Sequence, residues 1–254
     1  MTKSFNLNAA GSSIKCRLYA NDPRAVRNLV ICGHGFGGSK DSRSAERFAE
    51  VLLSKRRDAA VLTFDLPAHG DDVKKRLELG DCDAYLREVL SCAQAELRPA
   101  AIFGYAVSFG GFLFLKYLAE HGNPFRKLAL RCPAVDIYES LTEKLLTARD
   151  AEALRKGRDA ELGFDRKVRV NQAFFDELRA ADLFALDFLD WADDLLILQG
   201  TADEIVSCEA VSRFADQNCI ELIPFDRADH SFRDPAKMGA AIAEILKFFA
   251  PAFE

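Results

Sequence analysis

Short, continuous apolar runs that alternate with amphipathic segments constrain the fold of this chain more than any other feature. Runs rich in Val, Ile and Leu without polar alternation are typical of strands buried on both faces of a sheet. Such runs occupy residues 29–32, 60–64, 101–103, 128–130 and 195–198. Strands of this kind separated by helices predict an α/β fold, with a doubly wound, mostly parallel sheet between two layers of helices.

The segments between and after these runs have the periodicity of helices. Apolar side chains recur every three to four residues, so one face of each segment is apolar. These segments are residues 43–54, 82–97, 112–119 and 236–249. Ahead of them, residues 5–7 and 14–19 alternate in period two around Ala10, Gly11 and Ser12, which predicts a hairpin at the antiparallel edge of the sheet.

Residues 138–190 interrupt the alternation. They lack a convincing strand and contain no proline, and they are rich in Glu, Leu, Ala, Arg and Phe, all compatible with helix. We therefore predict a helical cap inserted into an α/β core formed by residues 1–137 and 191–254, because the insertion is too short for a large core of its own. Most of its aromatic side chains are expected to pack inside and some to line the mouth of a pocket; they are Phe164, Phe174, Phe175, Phe184 and Phe188.

Composition excludes several classes of function. The 34 basic and 39 acidic residues give a net charge of −5, and no basic run provides a footprint for nucleic acid. No stretch approaches the roughly 18 apolar residues of a membrane span, and the first eight residues lack the apolar centre of a signal peptide. The seven cysteines include no Cys-x-x-Cys pair, which favours reduced, buried thiols in a cytoplasmic protein. No His/Cys cluster has metal-ligand spacing, so neither a metal nor a cofactor is expected, and a homo-oligomer is left open.

A serine follows the run at residues 101–103 in a pattern typical of a nucleophile. Ligands of open α/β sheets bind at the carboxyl ends of the strands. There the segment GYAVSFGG leads into an apolar helix, and the small residues Ala106 and Gly110 stand two positions before and after Ser108. A sharp strand-to-helix turn that holds a strained nucleophile needs small residues at both positions. The alternative interpretation is a serine that only caps the helix.

The glycine-rich segment GHGFGG, residues 33–38, follows the first apolar run. Glycines let the backbone turn tightly and present free N–H groups. An enzyme that transfers acyl groups needs such donors to hold a developing oxyanion. The candidate donors are the backbone amides of Phe36 and of Phe109, the residue after Ser108. A phosphate-binding loop is the weaker alternative, because the pattern Gly-x-x-x-x-Gly-Lys-Ser/Thr is absent.

An acid and a base follow the last two apolar runs. Asp203, in the segment GTADEIV, is placed to orient a histidine and stabilise its cation. Of the four histidines, His230 is the one that lies after the last core strand and before the last helix, and it completes the chain order Ser, Asp, His. Asp136, which follows the run at residues 128–130, is the alternative acid.

In this order the segments resemble the α/β-hydrolase family over nearly the whole chain. The resemblance rests on the segments HGF at residues 34–36, DLPAHGD at residues 65–71 and GTADEIV at residues 200–206, and on the loops that carry Ser108 and His230. It departs from the family pattern at Ala106, where the usual residue is glycine. Within the family the chain is most similar to small capped serine hydrolases, which include feruloyl or cinnamoyl esterases, monoacylglycerol lipases and S33 peptidase-like members.

The resemblance implies a catalytic triad of Ser108, His230 and Asp203, with the amides of Phe36 and Phe109 as oxyanion donors. It also implies that Asp65 and the His69-Gly70 pair shape a loop beside the site rather than react. The expected activity is hydrolysis of a small or medium acyl ester through an acyl-enzyme. Hydrolysis of a thioester or an amide by the same triad, and a non-catalytic relative that binds a small molecule or partner, remain alternatives.

Overall fold

The computed structural model of the protein describes residues 1–9, 12–72, 74–163 and 166–254. Strands within these ranges are β1 (Thr2–Ala9), β2 (Ser12–Ala20), β3 (Asn28–Gly33), β4 (Ala59–Phe64), β5 (Ala101–Val107), β6 (Leu128–Arg131), β7 (Ala160–Leu162), β8 (Val168–Val170), β9 (Leu195–Gly200) and β10 (Glu221–Phe225). The eight strands other than β7 and β8 form one sheet in the order β1-β2-β4-β3-β5-β6-β9-β10. Its strands from β4 to β10 in that order run parallel.

The central strands are buried along their whole length, as the continuous apolar runs predict. Every residue of β3, β4, β6 and β9 is buried. The N-terminal hairpin is also present, since β1 pairs antiparallel with β2 and β2 pairs antiparallel with β4. Two residues of its predicted turn, Ala10 and Gly11, lie outside the described residues. The predicted α/β class, with one antiparallel edge, is confirmed.

Helices cover both faces of the sheet. They are α1 (Arg43–Lys55), α2 (Leu79–Cys92), α3 (Phe109–His121), α4 (Ile137–Lys144), α5 (Ala148–Arg155), α6 (Gln172–Ala180), α7 (Cys208–Gln217) and α8 (Pro235–Phe249). On one face α1 and α8 meet in an apolar layer that includes Phe48 and Phe249. On the other face α2, α3 and α7 share a layer that includes Val89, Phe112 and Phe214. In the described part of the chain, no helix has the length and apolar character that crossing a bilayer requires.

The predicted insertion at residues 138–190 is not wholly helical. It contains α5, α6 and most of α4, but also the antiparallel pair of β7 with β8. The expectation of no strand in this segment is therefore wrong. Each of the two strands buries its first and last residue and exposes its middle one, and the exposed Glu161 and Arg169 pair across them at 3.2 Å.

Candidate active site

Ser108 sits at a strained turn between β5 and α3. Its backbone has φ 53° and ψ −119°, a region that side-chain-bearing residues adopt only when the surrounding structure enforces it. The Ser108 amide donates to the Arg131 carbonyl at 3.0 Å, which ties the turn to the end of β6. A Cβ atom at Gly110 would lie 2.7 Å from the carbonyl oxygen of His34, so the close approach of these two loops requires glycine there. The small residue predicted after the serine thus has a steric cause.

Asp203 and His230 meet directly. Asp203 follows β9, and both of its carboxylate oxygens contact His230 Nδ1, at 3.0 Å for Oδ1 and 2.9 Å for Oδ2. The Asp203 side chain is fully buried, and Oδ1 also accepts from the amides of Ile205 and Val206, at 2.9 Å each. Burial raises the pKa of Asp203, but the bonds from His230 and these amides outweigh burial and lower the pKa below its usual value. Asp203 is therefore held as a carboxylate facing one ring nitrogen of His230.

The loop that carries His230 is fastened to the loop that carries Asp203. The His230 amide donates to Glu204 Oε2 at 3.1 Å, and the Ala202 amide donates to the Ala228 carbonyl at 3.0 Å. The loops approach so closely that a Cβ atom at Gly200 would lie 2.3 Å from the Ala228 oxygen. These two hydrogen bonds from backbone amides therefore hold the two loops together independently of the contact between the Asp203 and His230 side chains.

The alternative acid, Asp136, has a different partner. Its Oδ1 accepts from the Ser140 hydroxyl at 2.9 Å, one turn into α4. Burial raises the pKa of Asp136, and the Ser140 bond only partly offsets this effect. Of the two candidate acids, Asp203 is the one in contact with His230.

Ser108 and His230 line one cavity of about 830 Å³ at the carboxyl ends of the strands. Gly35 and Phe36 form part of the same wall, and a Cβ atom at Gly35 would lie 3.2 Å from Ser108 Cβ. Among the described residues, the Ser108 hydroxyl hydrogen-bonds to none, His230 included. His230 is thus hydrogen-bonded to Asp203, whereas Ser108 and His230 line the same cavity without a hydrogen bond between them.

The two residues that carry the predicted oxyanion donors, Phe36 and Phe109, are in contact. The rings of Phe36 and Phe109 pack edge to face, with centroids 5.7 Å apart. The Phe109 amide is at the first position of α3, where an N–H has no partner within the helix. Neither this amide nor that of Phe36 donates to an acceptor in the described ranges.

Buried polar side chains hold the glycine-rich loop in place. The Leu66 amide donates to His34 Nε2 at 3.1 Å, so the proton of this ring is on Nδ1, which donates to the Gly35 carbonyl at 2.8 Å. Asp65 is fully buried and accepts from the amides of Lys40, at 2.6 Å, and Asp71, at 2.8 Å. These contacts agree with a loop-shaping role for Asp65.

Buried histidines make the stability of the fold depend on pH. Burial lowers the pKa of His34 to about 4 and that of His69 to about 3, whereas both rings have values near 6.5 when unfolded. Below about pH 6.5 the unfolded chain therefore binds more protons than the folded one, and stability falls as pH falls. We expect the free energy of unfolding to decrease between about pH 6.5 and pH 4, by up to about 1.4 kcal/mol per pH unit for each histidine. Urea unfolding at a series of pH values measures this slope, and His69→Phe should make it shallower; an equal slope in the variant would contradict the assignment.

Within the described residues, two groups of side chains have the spacing of metal ligands, and the members of both already have protein partners. Cys132, Asp203 and His230 bring one ligand atom each within 4.8 Å. Burial, followed by the nearby Asp203 charge, raises the pKa of the Cys132 thiol well above its usual value, and the other two members of the group already bond to each other. The second group, Asp83, Glu120 and His121, is already matched by basic partners, with Arg87 on Asp83 at 3.0 Å and Lys116 on Glu120 at 2.5 Å.

The aromatic residues of the insertion pack in the core rather than at the cavity. Phe174, Phe175 and Phe188 are at most 3% exposed, and Phe184 packs on Phe214 with ring centroids 5.7 Å apart. No described residue of 138–190 lines the cavity that contains Ser108, so the expectation of phenylalanines at its mouth is wrong for these four. The fifth, Phe164, lies outside the described residues.

Gln199 and Arg131 are polar residues of this site that the sequence analysis did not single out. Gln199 Nε2 donates to Asp203 Oδ2 at 3.0 Å from the penultimate position of β9. Arg131 ends β6 and lines the cavity. Each interrupts or ends an otherwise apolar run, and a polar residue at the carboxyl end of a buried strand is the signal that could have identified them.

Comparison with known proteins places the chain in a family. The model of the alpha/beta hydrolase fold family matches residues 28–161, a little over half of the chain. The protein therefore belongs to the alpha/beta hydrolase fold family. No curated protein matches the sequence.

Solved structures resemble the whole chain at low sequence identity. Est1E from Butyrivibrio proteoclasticus with bound ferulic acid is 20% identical, with a TM-score of 0.78 over 97% of this chain and 99% of its own. The esterase domain of a Rhodothermus marinus protein is 20% identical, with a TM-score of 0.70 over 99% and 98%. Mouse alpha/beta hydrolase domain-containing protein 10 is 16% identical, with a TM-score of 0.72 over 98% and 99%. At these identities the likeness shows the shared fold.

Proposed function

We propose that the protein is a serine hydrolase that cleaves a small or medium carboxylic ester through Ser108, His230 and Asp203. One observation carries the proposal. A histidine held by a buried carboxylate lines the same cavity as a serine on a strained strand-to-helix turn. This combination of nucleophile, base and orienting acid defines acyl-transfer chemistry in this family of folds. Est1E, with its bound ferulic acid, and the Rhodothermus marinus esterase domain are consistent with an ester as the substrate.

The proposed reaction has two half-reactions. Asp203 accepts a hydrogen bond from Nδ1 of His230 and so holds the ring proton on that nitrogen. Nε2 is then free to take the Ser108 proton while Oγ attacks the acyl carbon. The amides of Phe36 and Phe109 stabilise the tetrahedral oxyanion, and His230 returns the proton to the departing alkoxide. Water then attacks the acyl-enzyme in the same way and releases the acid. We further propose residues 1–137 and 191–254 as the core that carries this machinery and residues 138–190 as its insertion.

A fluorophosphonate probe combined with a panel of p-nitrophenyl esters tests the proposal. The intact protein should hydrolyse esters of short and medium acyl chains and take up one probe molecule, which peptide mass spectrometry should locate on Ser108. Matched thioesters and amides in the same panel rank the three substrate classes. Turnover without an adduct would refute a serine nucleophile, and an adduct on another serine would refute Ser108. The absence of both would favour a non-catalytic binding protein.

A further inference from the structure

In the described part of the chain, the cavity beside Ser108 contains a buried cation that pairs with no acidic side chain. Arg131 is 3% exposed and lines this cavity. Its Nη1 donates to the Ser231 carbonyl at 3.2 Å and lies 3.6 Å from Met238 Sδ. The guanidinium carbon lies 5.1 Å from the centroid of the Phe232 ring. These partners orient the guanidinium, but none of them carries a negative charge.

Lys40 is a second buried cation of the same cavity, and unlike Arg131 it is neutralised by acidic side chains of the protein. This side chain is also buried and also lines the cavity. Its Nζ contacts three carboxylates, those of Asp41 at 2.9 Å, Asp65 at 3.4 Å and Asp71 at 2.6 Å. Arg131 has no carboxylate within 4.0 Å among the residues described. Because burying an unpaired charge is unfavourable, an anion bound beside Arg131 would lower the free energy of this site.

Polar atoms of Arg131 and its neighbourhood have no hydrogen-bond partner among the described residues. Its Nε is buried without a partner, and so is the hydroxyl of Tyr105, which lines the cavity as well. The Nη2 group makes no hydrogen bond within the described ranges. The acidic residues of the cavity wall, Glu46 and Glu50, are exposed, and Glu50 is paired with Arg47 at 2.9 Å. No described acid of the wall therefore pairs with Arg131.

We propose that this cavity binds a carboxylate on Arg131 and that the ester cleaved at Ser108 carries this carboxylate. The substrate assignment rests on the proposed function, since it concerns the same cavity. A carboxylate is favoured over a phosphate because the other arginines of the wall, Arg43, Arg47 and Arg233, are exposed, which leaves one buried guanidinium to match a planar, singly charged partner. The volume of about 830 Å³ accommodates a half-ester of a dicarboxylic acid.

Paired substrates test the assignment through a ratio. Mono-p-nitrophenyl adipate and p-nitrophenyl hexanoate share acyl length and leaving group and differ in one terminal carboxylate. The wild type should favour the adipate in kcat/KM, and Arg131→Met should lower the adipate-to-hexanoate ratio by about 10- to 100-fold, the effect of losing a hydrogen bond to a charged group. Arg24→Gln removes a charge from a side chain that is 92% exposed, and it should leave the ratio unchanged.

A binding measurement separates this inference from the proposed function. Calorimetry on the Ser108→Ala protein should detect monomethyl adipate but not dimethyl adipate, and Arg131→Met in the same background should remove the binding. This result would support the carboxylate site even if the wild type hydrolysed neither ester. Conversely, hydrolysis of p-nitrophenyl hexanoate with no binding of monomethyl adipate would refute the site and leave the serine hydrolase intact. Inorganic phosphate binding more tightly than monomethyl adipate would refute the choice of a carboxylate.

A purely structural role for Arg131 predicts a different result. Through Ser231 and Phe232 the guanidinium also supports the loop that follows His230. If support were its only role, Arg131→Met would slow both esters equally and leave the ratio unchanged, which would overturn the proposal. The wild-type ratio and the calorimetry on Ser108→Ala need no Arg131 variant, so an absence of carboxylate preference in them would overturn the proposal even if that variant does not fold.

Discussion

Replacing Ser108 with alanine is expected to lower kcat for p-nitrophenyl esters by about 10⁴- to 10⁶-fold and to prevent fluorophosphonate labelling. The proposed route passes through a covalent bond to Ser108 Oγ, so no partial nucleophile replaces it. Any residual turnover would come from the free amides of Phe36 and Phe109 acting on bound substrate. Steady-state kinetics and intact-protein mass spectrometry measure the two effects.

The control for this variant is Ser44→Ala. Ser44 lines the same cavity from the first turn of α1 and also carries a hydroxyl. Its replacement should leave turnover and labelling close to wild type. Ser108→Ala protein that unfolds at the wild-type urea concentration yet hydrolyses esters at the wild-type rate would refute the proposed chemistry.

The sheet was predictable because its strands are buried on both faces. Burial there demands uninterrupted apolar residues, so residues 29–32, 60–64 and 195–198 could be identified without knowledge of their neighbours. The ends of strands were less visible. The run at residues 101–103 continues as β5 to Val107. The continuation was missed because Gly104 and Ala106 are small rather than strongly apolar, although both are buried in the sheet.

The insertion shows where local pattern fails. Its two strands are three residues long, too short for a period of two to stand out from helical spacing. Their pairing comes from contacts between segments, which no local window contains. The expectation that some phenylalanines of the insertion line the pocket failed for a related reason, since Phe174 packs against Phe109 of the sheet's own helix layer, with ring centroids 6.4 Å apart. Periodicity identifies an apolar face but not what it packs against.

For the candidate site, the order of the motifs along the chain pointed to the loops that carry Ser108, Asp203 and His230. The structure adds the hydrogen bonds that hold these loops together. The contact between Asp203 and His230 matches the predicted pairing of acid with base, while the catalytic roles stay predictions. Gln199 and Arg131 could not be assigned roles from sequence. Arg131 contacts Ser231, which is distant along the chain, and Gln199 reaches Asp203 only because the loop after β9 folds back on the strand end. A polar side chain in a buried strand predicts that the side chain has a hydrogen-bond or charge partner, but it does not predict which residue that partner is.

Replacing Asp203 with asparagine is expected to lower kcat/KM by about 10⁴-fold, as loss of the correct histidine tautomer does in serine hydrolases. Oδ1 of Asp203 accepts from the amides of Ile205 and Val206, so the amide oxygen of asparagine should take that position. Its NH₂ group then replaces Oδ2 and faces His230 Nδ1, which is 2.9 Å away. As a donor it would favour the tautomer with the proton on Nε2, and that ring cannot accept the Ser108 proton.

The fold should tolerate this change, which makes Asp203→Asn a clean test against Asp136→Asn. Gln199 Nε2 now donates to Asp203 Oδ2, and its Oε1 has no partner, so a flip of the Gln199 amide would let Oε1 accept from the new NH₂ group. Asp136 contacts Ser140 and not His230, so its replacement should leave kcat/KM near the wild-type value. Kinetics and urea unfolding of both variants check this difference. A large loss of activity in Asp136→Asn with full activity in Asp203→Asn would transfer the role of the acid to Asp136, although the His230 ring touches the other carboxylate.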